Sequence, residues 1–236
     1  LVLSESYFMD PRGVSSKMRL GRAVAATRPL FDLVGTFEWN SASFTPLKPA
    51  GVVARLTGAA LLHGANPWLG YYAMEGDDAT NAASRTALSQ LLLFRKNHPE
   101  FYTNLTVLSP VGSVLPLESF NSLGVQYPVV PSHVNTLSGL GLPTEGVCDQ
   151  DLAETDLSRF HYLAAEGAAC VGSLASSNIA QWVQAGGVLV TAPDLATYDE
   201  IGRPRPRSKV ADLLGMTGLS TKSIGMGMVH VVPSGE

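Results

Sequence analysis

Short apolar runs alternate along this chain with longer stretches whose apolar residues recur every three to four positions, and that alternation predicts its elements. A strand-like run from Leu1 to Phe8 precedes a helical pattern over about 15–26. Leu33 to Glu38 precedes one over about 49–63, and Trp68 to Met74 precedes one over about 81–97. Strand-to-helix alternation of this kind predicts parallel strands joined by crossovers. The repeat can be counted: Glu5 to Glu38 is 33 residues and Glu38 to Tyr72 is 34. A TIM (β/α)8 barrel of roughly 250 residues has about 31 residues in each unit, so this spacing predicts about three units of such a barrel.

Around Tyr102 to Leu117 the pattern resets, which predicts one domain over 1–104 and a second over 105–236. Thr106 to Val111 reads as the first strand of the second domain, and Pro116 to Pro131 as a loop-rich stretch. A helix near 132–139, strands at Gly146 to Cys148 and Tyr162 to Val171, a helix over Ala175 to Gln184, a strand at Gly187 to Ala192 and a last strand at Met228 complete a second α/β layer. The expected form is a doubly wound, flavodoxin-like sheet. The chain opens on a strand without an initiating Met and closes on the strand-like Gly225 to Pro233, so we expect both ends to be cuts through a longer protein.

Composition narrows the functions open to such a fold. Hydrophobic residues make up 45% and charged residues 15%, ample apolar material for a core. The net charge of -4 supplies no field for nucleic acid or an anionic membrane, and neither is expected as a partner. The longest apolar stretch, Ala50 to Ala65, is interrupted by Arg55 and His63, so no bilayer-spanning helix is expected. Two cysteines, Cys148 and Cys170, fall short of a disulfide framework or a four-ligand zinc site, and nothing calls for a metal or a cofactor. The compartment stays open, with the cytoplasm slightly favoured.

Chemistry in a barrel lies at the carboxyl ends of the strands, where Glu5, Glu38 and Glu75 are found. Gly35-Thr36-Phe37-Glu38-Trp39-Asn40 sets a carboxylate between two aromatics, a combination suited to a sugar ring, with the alternative that Glu38 caps the next helix or pairs with an Arg. Glu5 stands in Ser4-Glu5-Ser6-Tyr7, and Glu75 precedes the turn-like Gly76-Asp77-Asp78. Trp68, Tyr71 and Tyr72 alternate across a strand, so one side of that set can line a pocket. His63 reads as a cation or donor that satisfies the end of a helix. Ala168-Ala169-Cys170-Val171-Gly172 has the small-residue spacing of a nucleophile elbow, but no base is tied to Cys170 by sequence, and a buried structural thiol is expected. The basic run Arg203 to Lys209 reads as a salt-bridged loop that docks on another domain or subunit.

Phe37-Glu38-Trp39-Asn40-Ser41-Ala42, Lys48-Pro49-Ala50-Gly51, His63-Gly64-Ala65-Asn66 and the strand from Trp68 to Met74 follow one another in an order that resembles the last two barrel units of the β-galactosidase-like glycoside hydrolases of family 42. Phe37-Glu38-Trp39 stands where that family typically has Met-Glu-Gln, a likeness nearer to its uncharacterised relatives. Trp182-Val183-Gln184-Ala185-Gly186-Gly187 and the run from Thr197 to Pro206 resemble the amidotransferase-like domain that follows the barrel, the β-galactosidase trimerisation domain. The resemblance implies a retaining glycosidase with Glu38 as nucleophile. It also implies sugar contacts from Glu5, Tyr7, Trp39, Asn40, Tyr72 and Glu75, a carbohydrate substrate and a homo-oligomer. The partnering acid/base carboxyl would come from a fourth strand absent from this chain, which alone should be inactive. In that family the second domain lacks the amidotransferase catalytic set, which implies an inert Cys170. Two rival readings are a non-catalytic assembly or ligand-binding protein with a degenerate barrel, and a thiol hydrolase that uses Cys170.

Overall fold

The architecture is that of a computed structural model. It describes residues 2–6, 11–25, 28–40, 43–70, 78–102, 108–124, 134, 136–137 and 140–215, with the backbone alone at 2, 5, 6, 11, 12, 37–40, 43–47 and 78–81. The chain divides into two compact units, Leu1–Val107 and Leu108–Glu236. Both are α/β with parallel sheets. No helix among the described residues is long and apolar enough to cross a membrane.

The first unit is built on a three-stranded parallel sheet in the order β1-β2-β5, from β1 (Val2–Ser6), β2 (Leu30–Gly35) and β5 (Asn66–Gly70). Helices α1 (Pro11–Ala25), α2 (Ala50–Leu62) and α3 (Asp78–Asn97) follow these strands in turn. Alternate positions of β2, Leu30 and Val34, face the helices and bury against Val14 and Met18 of α1 and Val53, Leu56 and Ala60 of α2. Helix α2 starts after Pro49, whose fixed φ suits a helix entry, and stops at Gly64 with φ +71, a conformation open to glycine. The Arg22 guanidinium takes up the Gly64 carbonyl at 2.7 Å, the role that the sequence assigns to His63. His63 is instead pushed down to about 4 by burial and by Arg19, so it sits neutral.

One expected strand is shorter than its pattern. The run from Leu33 to Glu38 leaves the parallel sheet at Gly35, and Glu38 lies on a separate two-stranded antiparallel sheet of β3 (Phe37–Asn40) and β4 (Ser43–Leu47). The break falls at Thr36, whose backbone N–H and hydroxyl both donate to the Gly70 carbonyl, at 3.1 and 3.0 Å, at the end of β5. Alternation continues unbroken through the turn, which is why the sequence pattern runs the two strands together.

The second unit has four parallel strands in the order β7-β6-β8-β9, from β6 (Val111–Leu115), β7 (Thr144–Cys148), β8 (Tyr162–Ala165) and β9 (Val188–Thr191). Its core joins Val114, Val147 and Leu163 of the sheet to Ile179 and Trp182 of α5 (Ser173–Gln184) and Val210 of α6 (Lys209–Leu213). The first strand begins at Val111, later than the pattern suggests. Pro110 has no N–H, and the Ser109 hydroxyl binds the Pro143 carbonyl and accepts from the Val111 N–H. The expected loop after Pro116 contains helix α4 (Leu117–Leu123), ended by Gly124 at φ +92. Strand β8 stops at Ala165 because Gly167, at φ +76, turns the chain before Cys170. Of the expected helix at 132–139, positions 134 and 136–137 are helical, and the rest, with the strand at Met228, lies outside the described residues.

Candidate functional site at the carboxyl edge of the first sheet

Parallel strands bring their carboxyl ends to one edge, and here those ends are Ser6, Gly35 and Gly70. Glu5 pairs with Leu33 and Leu33 with Trp68, so the three residues form one row. The neighbouring position Leu69 packs on the helix-side core, which assigns this row to the opposite face, where Trp68 is 60% exposed. Level with Glu5 is therefore Leu33 and not Glu38, because the hairpin takes up the residues in between. The 33- and 34-residue spacing thus overlooks the turn after Gly35.

Glu38 stands at an irregularity of that hairpin. Phe37 pairs with Leu47 but Trp39 with Phe44, so the register shifts across Glu38, opposite Thr45 and Pro46. Pro46 has no N–H to donate to a ladder. A register shift changes the direction in which local side chains leave the strand, and such shifts are frequent beside active sites. Trp39 and Asn40 continue the same strand. Tyr7, Tyr72 and Glu75 lie outside the described residues.

The hairpin is fastened to the sheet edge by Lys48, which follows β4 directly. Its backbone N–H donates to the Thr36 carbonyl at 2.7 Å, and its ammonium donates to the Gly35 carbonyl at 2.8 Å with the residue only 1% exposed. The sequence pattern places Lys48 in Lys48-Pro49-Ala50-Gly51 and does not single out this anchor. A signal was available: a cation just ahead of a helix start opposes the helix dipole, so its presence there needs a reason.

The second unit gathers a different set of groups at its own carboxyl edge. Asp149, following β7, is 1% exposed and accepts the backbone N–H of Glu118 at 2.8 Å and of Gln150 at 3.0 Å, which caps the start of α4. Burial nevertheless raises the Asp149 carboxyl to about 6 against the lowering effect of these bonds. Glu118 is pushed up to about 7 by burial and then by Asp149 and Glu200. Cys148 is pushed up to about 12 by burial, Asp151 and Asp149. Cys170 is 0% exposed, its thiol is raised by burial, and its backbone N–H is spent on the Ser119 hydroxyl at 2.9 Å. A thiol that stays protonated and enclosed is a poor nucleophile. His161 gives its backbone N–H to Pro110 at 2.8 Å, and His230 lies outside the described residues. The expected docking loop folds back on its own unit: the Arg205 guanidinium donates to the carbonyls of Val171, Ala196 and Tyr198, and Arg207 pairs with Asp212 at 3.2 Å. Among the described residues no three metal-ligating side chains converge.

The fold matches those of solved β-galactosidases. The enzyme from Bacillus circulans sp. alkalophilus superposes with a TM-score of 0.66 at 12% identity, over 90% of this chain and 35% of that one. The β-galactosidase from Rahnella sp. R3 gives 0.65 at 16% identity, over 87% and 34%. Gan42B, a GH42 β-galactosidase from G. stearothermophilus, gives 0.62 at 14% identity, over 85% and 33%. At these identities the likeness is one of fold, and the chain spans about a third of the length of these proteins. No protein-family model matches the sequence, and no curated protein matches it by sequence.

Proposed function

We propose that this chain is the carboxyl-terminal part of a retaining glycoside hydrolase of the β-galactosidase type, with Glu38 as its nucleophile. The observation that carries the reading is the register shift at Glu38, on a hairpin fastened to the carboxyl edge of a parallel sheet. In this reading the first unit, about 1–104, supplies the last three β/α units of a TIM barrel. Residues from about 105 onward form a flavodoxin-like, amidotransferase-like trimerisation domain. The order β7-β6-β8-β9, second-first-third-fourth along the chain, supports the flavodoxin-like assignment.

The Glu38 carboxylate attacks the anomeric carbon and forms a glycosyl-enzyme ester while the glycosidic C–O bond breaks. The leaving oxygen takes a proton from a second carboxyl, contributed by a part of the parent protein outside this chain. Water then attacks the ester, giving its proton back to that second group, and Glu38 leaves as the carboxylate. The two-carboxylate reaction needs neither metal nor cofactor. Glu5, Tyr7, Trp39, Asn40, Tyr72 and Glu75 contact the sugar, with Trp39 as a stacking surface. The parent acts on carbohydrate as a homo-oligomer assembled through the second unit.

The test is made in the full-length parent. Glu38→Gln keeps the shape and removes the nucleophilic charge. It should cut hydrolysis of an aryl β-galactoside by several orders of magnitude and abolish covalent labelling by a 2-deoxy-2-fluoro-galactoside, read by peptide mass. Undiminished turnover with Gln at position 38 removes Glu38 from the mechanism.

A further inference from the structure

We infer that Lys48 is a positioning residue for the chemistry of hairpin β3–β4: its buried ammonium locks the hairpin to the end of β2, from which Thr36 carries the restraint to β5, and so fixes where Glu38 stands. The inference rests on the proposed role of Glu38 as nucleophile. Lys48 lies between two regular elements, one residue past β4 and two before α2. From that junction its backbone N–H reaches the Thr36 carbonyl and its ammonium reaches the Gly35 carbonyl. Thr36 passes the restraint on, through its N–H and hydroxyl, to the Gly70 carbonyl. Lys48, by its ammonium and its backbone N–H, ties the junction of β4 and α2 to the end of β2, and Thr36 extends the tie to β5.

The choice of residue argues for more than a hairpin anchor. An apolar side chain of the same length would fill the space, and a buried ammonium is unfavourable unless its donors are used. Position 48 is also where the dipole of α2 opposes a cation. What lysine adds is a directed, charge-assisted bond to the Gly35 carbonyl, three residues before Glu38. Successive Cα atoms are about 3.8 Å apart, so Glu38 lies within about 8 Å of the Thr36 end of the clamp. A nucleophile whose partner carboxyl must be about 5 to 5.5 Å away tolerates little drift, and misplacement by about 1 Å can cost roughly 100-fold in rate.

The experiment uses the full-length parent with 4-nitrophenyl β-galactoside, a 2-deoxy-2-fluoro-galactoside label, and Lys48→Met, which keeps length and volume without the charge. The expected result is a fall in kcat of about 100-fold and a matching slowing of label incorporation at Glu38, with KM within about threefold and the thermal midpoint nearly unchanged. A purely structural Lys48 would lower the thermal midpoint and leave kcat of the folded enzyme intact, and that outcome overturns the inference. If Lys48→Met does not fold, Lys48→Gln and Thr36→Val carry the test. The first keeps a donor without charge, the second removes the hydroxyl link to Gly70, and each should lower kcat about tenfold at unchanged KM. Wild-type kcat in either overturns the inference. A wild-type parent that labels at Glu38 while Lys48→Met turns over normally defeats this inference alone. A wild-type parent that never labels at Glu38 defeats both it and the proposed function.

Discussion

At the end of β2 a buried ammonium, Lys48, is held against the Gly35 carbonyl beneath the hairpin that carries Glu38. At the ends of β6 and β7 burial instead collects Asp149 and Glu118 beside the thiols of Cys148 and Cys170, and raises all four toward their neutral forms. Both are carboxyl edges of parallel sheets, the place where α/β proteins keep their chemistry. The difference lies in what the following loops contribute. In the second unit the charges that act on Glu118 are those of Asp149 and Glu200, and the Arg205 guanidinium is turned onto backbone carbonyls. In the first unit the loop after the sheet brings a cation and a hairpin. The loops after the strands thus set the electrostatics of a carboxyl edge: a cation reaches the end of β2, and acids held toward their neutral forms gather at the ends of β6 and β7.

The carboxyl edge of the second unit depends on tight packing beneath it, and the change expected to break that packing most severely is Gly187→Ala. A Cβ there would lie 2.2 Å from the Trp182 ring, whose indole N–H is already committed to the Phe160 carbonyl at 3.3 Å. Overpacking of that order should cost about 3 kcal/mol. Hydrogen exchange read by mass spectrometry should rise across β6, β8 and α5 while β1, β2 and α2 keep their protection. Equal loosening of both units would show that the packing defect is not confined to the second.

Arg205→Met should cost less, about 2 kcal/mol, because three carbonyls lose a charged donor but the side-chain stem still packs. Urea unfolding followed by far-UV circular dichroism measures it. A midpoint equal to wild type would mean that the loop docks elsewhere, as the charge run alone suggests.

The smallest effect is a pH dependence. Glu118 is raised to about 7 in the folded chain, above an unfolded value of about 4.3. The folded state therefore holds a proton that the unfolded state releases in this window. The stabilising contribution is complete below about pH 4 and is lost as pH rises through about 7. Glu118→Gln should flatten that slope, so its gain over wild type is larger at pH 8 than at pH 5. Glu118 is partly exposed, and screening keeps the difference to about 1 kcal/mol or less. Parallel urea midpoints for wild type and variant at the two pH values would remove the neutral-acid description of this edge.

Much of the fold is legible in the periodicity. Helices α2, α3 and α5 start and stop within a few residues of the apolar pattern, because amphipathic helices of 12 to 20 residues repeat it several times. Short elements are less legible. The seven residues of α4 repeat no pattern, and Pro116 and Gly124 around it read equally as loop. The hairpin escapes notice for a different reason: Phe37 and Trp39 continue the alternation of β2, and period two cannot tell a continuing strand from one that has turned into a new sheet. Among the candidate residues, the identity of Glu38 is visible from its aromatic neighbours, and its place at a register shift is not.

Local periodicity and composition are enough to dictate the order of strands and helices, the reset between two α/β units and the residue types available at the strand ends. Which of those residues stand level with one another, and in what electrostatic company, is settled by packing between distant segments. Leu33 lies level with Glu5, Asp149 caps α4 across 31 residues of chain, and Lys48 reaches back to Gly35. Register and burial arise from contacts between segments far apart in the chain, and burial sets whether a carboxyl is held as an ion or as an acid.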